Sequence, residues 1–152
     1  MYAFNPGDIV EIETSNGLAY VQVTHNHPSY PEVFRALPGL FQKRPDDFSL
    51  LAKREGVFVA MSPLRSAIER GSLSGEFCGN QPVPKSEQTF PTFKMAIRDK
   101  QGNVAYWWYW DGEGLRYEAD ADADNETLPA REIMSVKALV GRLAAAEMQS
   151  AD

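Results

Sequence analysis

The chain is poor in the residues that most often carry chemistry. Of its 152 residues one is cysteine, Cys78, and two are histidine, His25 and His27. A lone cysteine forms no internal disulfide, so the sequence reads as that of a protein from a reducing compartment. Its uninterrupted apolar runs are only a few residues long, far short of the ~20 needed to span a bilayer. The first residues lack the basic and apolar regions of a secretory signal. An excess of positive charge is also missing: 15 Lys and Arg face 21 Asp and Glu, a net charge of −6. That argues against a nucleic-acid binder, whose footprint is a basic patch. There is no Gly-x-Gly-x-x-Gly and no phosphate loop, and Gly71-Ser-Leu-Ser-Gly75 has Leu73 where a nucleophile elbow needs serine. The expectation is a cytoplasmic, non-catalytic protein without cofactor or metal, without membrane or nucleic-acid partners.

What is present is enough to fold. Apolar residues make up 43% of the chain and aromatics 11%, well above the composition of disordered chains. No repeat or linker divides the sequence, so one domain over residues 1–152 is expected. Residues 8–13 and 18–24 read as strands joined through Asn16-Gly17, a strong hairpin signal. The prolines of residues 25–31 predict a loop. Residues 33–37 and 56–61 predict two more strands, with a charged loop and one helical turn between them. Ser62-Pro63 opens a short helix that Gly71 closes. Residues 71–86, with two prolines and several glycines, read as irregular. Val136, Leu139, Val140 and Leu143 share one helical face, with Ser135 as N-cap.

All three tryptophans lie in residues 104–114, within the run Tyr106-Trp107-Trp108-Tyr109-Trp110. Short loops at Gln101-Gly102 and at residues 111–114 make residues 93–118 a three-stranded meander. Alternation then sorts the side chains. Phe93, Met95, Ile97, Tyr106, Trp108, Trp110, Leu115 and Tyr117 form a face expected to be core. Lys94, Ala96, Arg98, Trp107, Tyr109, Arg116 and Glu118 form a mixed, wetter face. A one-residue slip would carry charge into the core, which fixes the register. On the mixed face, Trp107 and Tyr109 either cover the stems of Lys94 and Arg116, or support the last helix, or anchor a partner. Trp, Tyr and Arg together have the composition of interface hot spots.

Seven acids and one base lie between residues 111 and 126. The Asp-x-Asp-x-Asp spacing at Asp120, Asp122 and Asp124 resembles the start of a calcium loop, but Asn125 follows where glycine is required and Arg131 stands at the twelfth position. A solvated loop or an acidic interface for a basic partner is expected. Cys78 with His25 or His27 as base is weighed as a nucleophile, but nothing in the spacing joins them. His25-x-His27 lacks the further ligands a metal site needs.

Several segments occur in a recognisable order: Pro6-Gly7-Asp8 leading into a strand, residues 17–23, the strand 33–37, Phe58 with Ser62-Pro63-Leu64, Pro82-Val-Pro84, and Phe93 with Trp108 and Trp110-Asp111-Gly112. This order resembles the immunity protein 26 family of bacterial polymorphic-toxin systems, over most of residues 6–143. The shared motifs are strands and turns. The resemblance implies a small cytosolic protein that neutralises a cognate toxin by binding it, with no catalytic residues to carry over. A net charge of −6 suits a basic toxin as partner.

The expected fold is therefore α+β and mostly antiparallel: an SH3-like curled N-terminal sheet, a C-terminal β-meander, a short middle helix and a C-terminal helix. The expected partner-binding residues are Trp107, Tyr109 and Arg116 beside Asp120, Asp122, Asp124 and Glu126. The alternative is a small-ligand or carbohydrate module that uses the aromatics as a stacking platform.

Overall fold

The computed structural model describes residues 3–148. Eight strands form two antiparallel sheets, with two short helices, so the α+β, mostly antiparallel class holds. Where one domain is expected, the contacts separate into two compact units. One runs up to Gln88 and resumes at Ile133; the other is Thr89–Glu132.

The first unit holds β1 (Asp8–Thr14), β2 (Gly17–His27), β3 (Tyr30–Ala36), β4 (Val59–Met61) and β5 (Gly75–Asn80) in the spatial order β4-β3-β2-β1-β5. Thr14 pairs with Gly17, so Ser15 and Asn16 form the two-residue turn. Within this turn and its flanking pair, Gly17 alone takes a positive φ, at 145°. β2 runs further than predicted. It carries His25 and His27 inside the strand, where irregular pairing with β3 absorbs the residues that read as a loop. β5 lies in the segment expected to be irregular. Its side chains do not alternate between buried and exposed, and its identity comes from main-chain pairing with β1.

This sheet is covered on both faces. Val10, Ile12, Ala19, Val21, Val23 and Phe34 pack with Leu64 and Ala67 of α1 (Leu64–Glu69) and with Leu139 and Leu143 of α2 (Val136–Ala144). Ile9, Tyr20 and Leu37 on the other face pack with Phe48, Leu51 and Ala52. Double coverage explains why β2 is buried along six consecutive residues and shows no simple alternation. The predicted cap of α2 is present: Ser135 Oγ accepts from Ala138 N at 3.1 Å. The expected cap of α1 is not, because Ser62 Oγ donates to the Met134 carbonyl at 2.9 Å and Pro63 precedes the helix. Gly71 closes α1 at φ 79°, as its C′ position requires.

On the second face a charged side chain is fully buried. Arg35 is 0% exposed. Its Nε donates to Gln22 Oε1 at 2.9 Å, its Nη1 to Arg54 O and its Nη2 to Ala52 O, both at 2.6 Å. Glu87 Oε2 lies 2.6 Å from Nη1 and is held by charge, since it takes no hydrogen bond of good geometry. Burial pulls the guanidinium pKa down and the Glu87 carboxylate pushes back. Gln22 Nε2 continues the network to the Gln81 carbonyl at 2.9 Å. Arg35 thus ties the turn at residues 51–54 and the segment 81–87 to the face of β2 and β3.

On the same face Glu11 accepts from Arg44 Nε and from the Tyr20 hydroxyl, both at 2.8 Å, and Arg44 also bridges to Glu76. The hydrogen bond from Arg44 holds the Glu11 carboxyl below its ordinary range, against the opposing effect of burial.

Two outcomes follow. Arg35→Ala leaves three acceptors without their donor and the Glu87 carboxylate without its counter-charge, and lowers unfolding free energy by ~3–5 kcal/mol in urea titrations, the usual cost of breaking a buried charge pair. Arg35→Met restores volume but no donor and recovers little of that; full recovery would mean the packing, not the network, is what counts. The second outcome concerns pH. Glu11 has a lowered folded-state pKa, so its contribution is present above the unfolded value and is lost as pH falls through the folded one. Glu11→Gln therefore flattens the acid limb of a stability–pH profile and leaves the neutral region parallel to the parent chain.

Candidate binding surface

The second unit is built on β6 (Phe93–Arg98), β7 (Val104–Trp110) and β8 (Leu115–Glu118), in that spatial order. The register is the predicted one over the aromatics. Phe93 faces Trp110, Lys94 faces Tyr109, Met95 faces Trp108, Ala96 faces Trp107 and Ile97 faces Tyr106. Across the second turn, Trp110 faces Leu115, Tyr109 faces Arg116, Trp108 faces Tyr117 and Trp107 faces Glu118. Only the first turn differs: a bulge sets Arg98 against Val104 instead of Ala105.

The two faces do not divide into a dry and a wet one as expected. Tyr109, placed by alternation on the wet side, is only 7% exposed. Its hydroxyl accepts from Asn125 Nδ2 at 3.1 Å, and the Arg116 guanidinium lies 4.9 Å from its ring centre. Trp107 is half-buried and its Nε1 donates to the Ala121 carbonyl at 3.0 Å. Lys94 Nζ sits 5.8 Å from the Trp107 ring and donates to the Asn125 carbonyl at 2.9 Å. The loop after β8 therefore closes over this face. Its return is fixed along β6, where Lys94 N donates to Pro129 O at 2.8 Å and Arg131 N to Lys94 O at 2.7 Å. The two rings support the loop and the stems of basic side chains.

The face expected to be core is closed at one end only. Phe93 and Trp110 are buried, with Phe90 5.4 Å from Trp110 and 6.1 Å from Phe93 between ring centres. Towards the other end the cover stops. Met95, Ile97, Tyr106 and Trp108 are half-buried, and Leu115 and Tyr117 are 56% and 54% exposed. Tyr117 stands between Tyr106 and Trp108, with ring centres at 5.2 and 5.4 Å and both interplanar angles 59°. The sequence marked these residues as apolar but supplied no element to cover them. Counting the amphipathic segments free to pack on them was the signal that could have marked this face as open.

Of the seven residues expected to bind a partner, Tyr109 and Trp107 are engaged by the loop. Arg116, Asp120, Asp122, Asp124 and Glu126 are exposed. The three aspartates do not converge: Asp120 Oδ1 accepts from Asp122 N at 2.9 Å, and Asp120 N donates to Glu118 Oε2 at 3.1 Å. Among the described residues no group of three His, Cys, Asp or Glu side chains is gathered as a metal site. In the first unit, Cys78 lies on β5 beside the Arg44–Glu11 pair, and burial pushes its thiol pKa up. That is opposite to what a nucleophilic thiolate needs. His25 Nε2 contacts the Gln88 carbonyl at 2.8 Å and His27 Nδ1 accepts from Ser29 N at 3.1 Å. No described helix is long and apolar enough to cross a membrane.

Compared with family models, with curated proteins and with solved structures, the chain finds no match.

Asn125 is 5% exposed and is the pin that joins the loop to Tyr109. Asn125→Ala leaves the tyrosine hydroxyl unpaired and costs ~1–2 kcal/mol. Hydrogen exchange should quicken across residues 119–130 while β6 and β7 stay protected. Unchanged exchange in that loop would show that Asn125 does not hold it.

Proposed function

We propose that the chain is a non-catalytic binding protein that works as an immunity-type inhibitor of a protein toxin in the cytoplasm. Its contact surface is the open aromatic face of the second sheet. The observation that carries this reading is the cluster of Tyr106, Trp108 and Tyr117 with Leu115 and Ile97, apolar yet incompletely covered. Contiguous exposed apolar surface rimmed by charge is what partner-binding sites share, and aromatic side chains dominate their energetics. The exposed acids Asp120, Asp122, Asp124 and Glu126 follow directly after β8. They belong to the loop that covers the opposite face of the sheet, and with the net charge of −6 they favour encounter with a basic partner. The resemblance to immunity protein 26 points the same way.

A carbohydrate module needs flat rings for a pyranose to stack on. Tyr117 is tilted by 59° to both neighbours, and Trp107 and Tyr109 are taken up by the loop. That corrugation suits side chains of a protein partner better than a sugar ring.

Tryptophan fluorescence tests the reading, because Trp108 lies in the face. A basic nuclease-type toxin domain should change the emission, and Leu115→Asp or Tyr117→Ala should weaken binding about tenfold or more with the circular dichroism spectrum preserved. Binding that ignores both substitutions, or a response to oligosaccharides alone, would overturn it.

A further inference from the structure

We infer that β8 is a self-complementary edge through which two copies of this chain pair, joining their three-stranded sheets into one sheet of six. The inference is independent of the toxin-inhibitor reading, since it rests on the edge and not on the face.

The argument begins with the main chain. Asp111 N donates to Gly114 O at 3.4 Å. In an antiparallel ladder the bonded pairs alternate, so the next ones are Tyr109 with Arg116 and Trp107 with Glu118. Leu115 and Tyr117 then point their N–H and C=O groups away from β7. Among the described residues, none of the hydrogen bonds outside the strand ladders reaches those groups. β8 closes its sheet on that side, with β7 as its one neighbour. Unpaired edges of this kind are templates for another strand.

The side chains choose the occupant and the register. A two-fold axis perpendicular to the sheet allows only registers centred on a residue, because opposed side chains share a face. Centring on Arg116 sets that guanidinium against its own copy. Centring on Tyr117 sets Arg116 opposite Glu118 of the second copy, twice over. The tyrosines then exchange the two main-chain bonds that their outward groups offer, and Leu115 bonds to Ala119. The Arg116–Glu118 pairs fall at the non-bonded positions, where side chains stand closest. Arg116 is available for this. It stacks on Tyr109 and makes no ion pair within the described residues. On the apolar face, Met95, Trp108 and Tyr117 of each copy line up in one row across six strands. Tyr117, 54% exposed in the single chain, is covered at its centre.

Sedimentation equilibrium of the full chain, from low to high micromolar concentration, reads the association. The expected result is a reversible monomer–dimer equilibrium. Arg116→Glu and Glu118→Arg each oppose like charges at the contact and should raise the dissociation constant about tenfold. The double exchange, Arg116→Glu with Glu118→Arg, restores complementarity and should restore dimerisation. Tryptophan emission, unchanged in all three variants, separates lost pairing from lost folding. A chain that stays monomeric throughout would overturn the inference. So would a dimer indifferent to the single exchanges, or a double exchange that fails to rescue.

Discussion

The first unit depends on one buried cation. Arg35 is fully enclosed, yet it meets three acceptors and a carboxylate within hydrogen-bonding distance. Enclosing a guanidinium without such partners would cost several kcal/mol, so the irregular chain around it has little freedom. The turn at residues 51–54 must present two carbonyls, and the short 3-10 turn Lys85–Glu87 must present its glutamate. Gly56 shows how tight the enclosure is, because a Cβ there would lie 3.0 Å from both the Arg35 side chain and Glu87 Oε1. Segments that carry few apolar residues are thereby held against a sheet whose other face is a conventional hydrophobic core.

The second unit solves a similar problem with less material. Three short strands rich in aromatics have two faces to cover and one loop to do it with. The loop covers the side where polar partners are available: the Trp107 indole, the Tyr109 hydroxyl and the Lys94 ammonium each bond to it. Its return along β6, with Lys94 N donating to Pro129 O and Arg131 N to Lys94 O, holds it on that side. The apolar side is left to self-association, to a partner or to water. The acidic loop, whose charge suggested a docking element, is first of all a structural cover that turns its carboxylates outward.

The predicted meander, with its two turns and the pairing of each aromatic, was legible because alternation and loop length leave one register free of buried charge. The helix over 136–144 and its serine cap were legible for the same local reasons. β5 was not, since Gly75 and Gly79 and its mixed pattern carry no strand signal, and the strand exists because β1 needs a neighbour. The role of Arg35 was also hidden. A lone arginine in an apolar strand does not announce that distant carbonyls will meet it.

For the candidate surface the division is sharper. Sequence alone determined which side chains share a face, because that depends only on the two-residue period of a strand. It could not determine which face is dry. Dryness depends on what folds over the sheet, and that was settled by hydrogen-bond partners distant in the chain, such as Lys94 and Asn125, 31 residues apart. Tyr109, on the nominally polar side, ended up buried because the loop after β8 bonds to it and to its neighbours, while Leu115 and Tyr117 on the apolar side stayed more than half exposed.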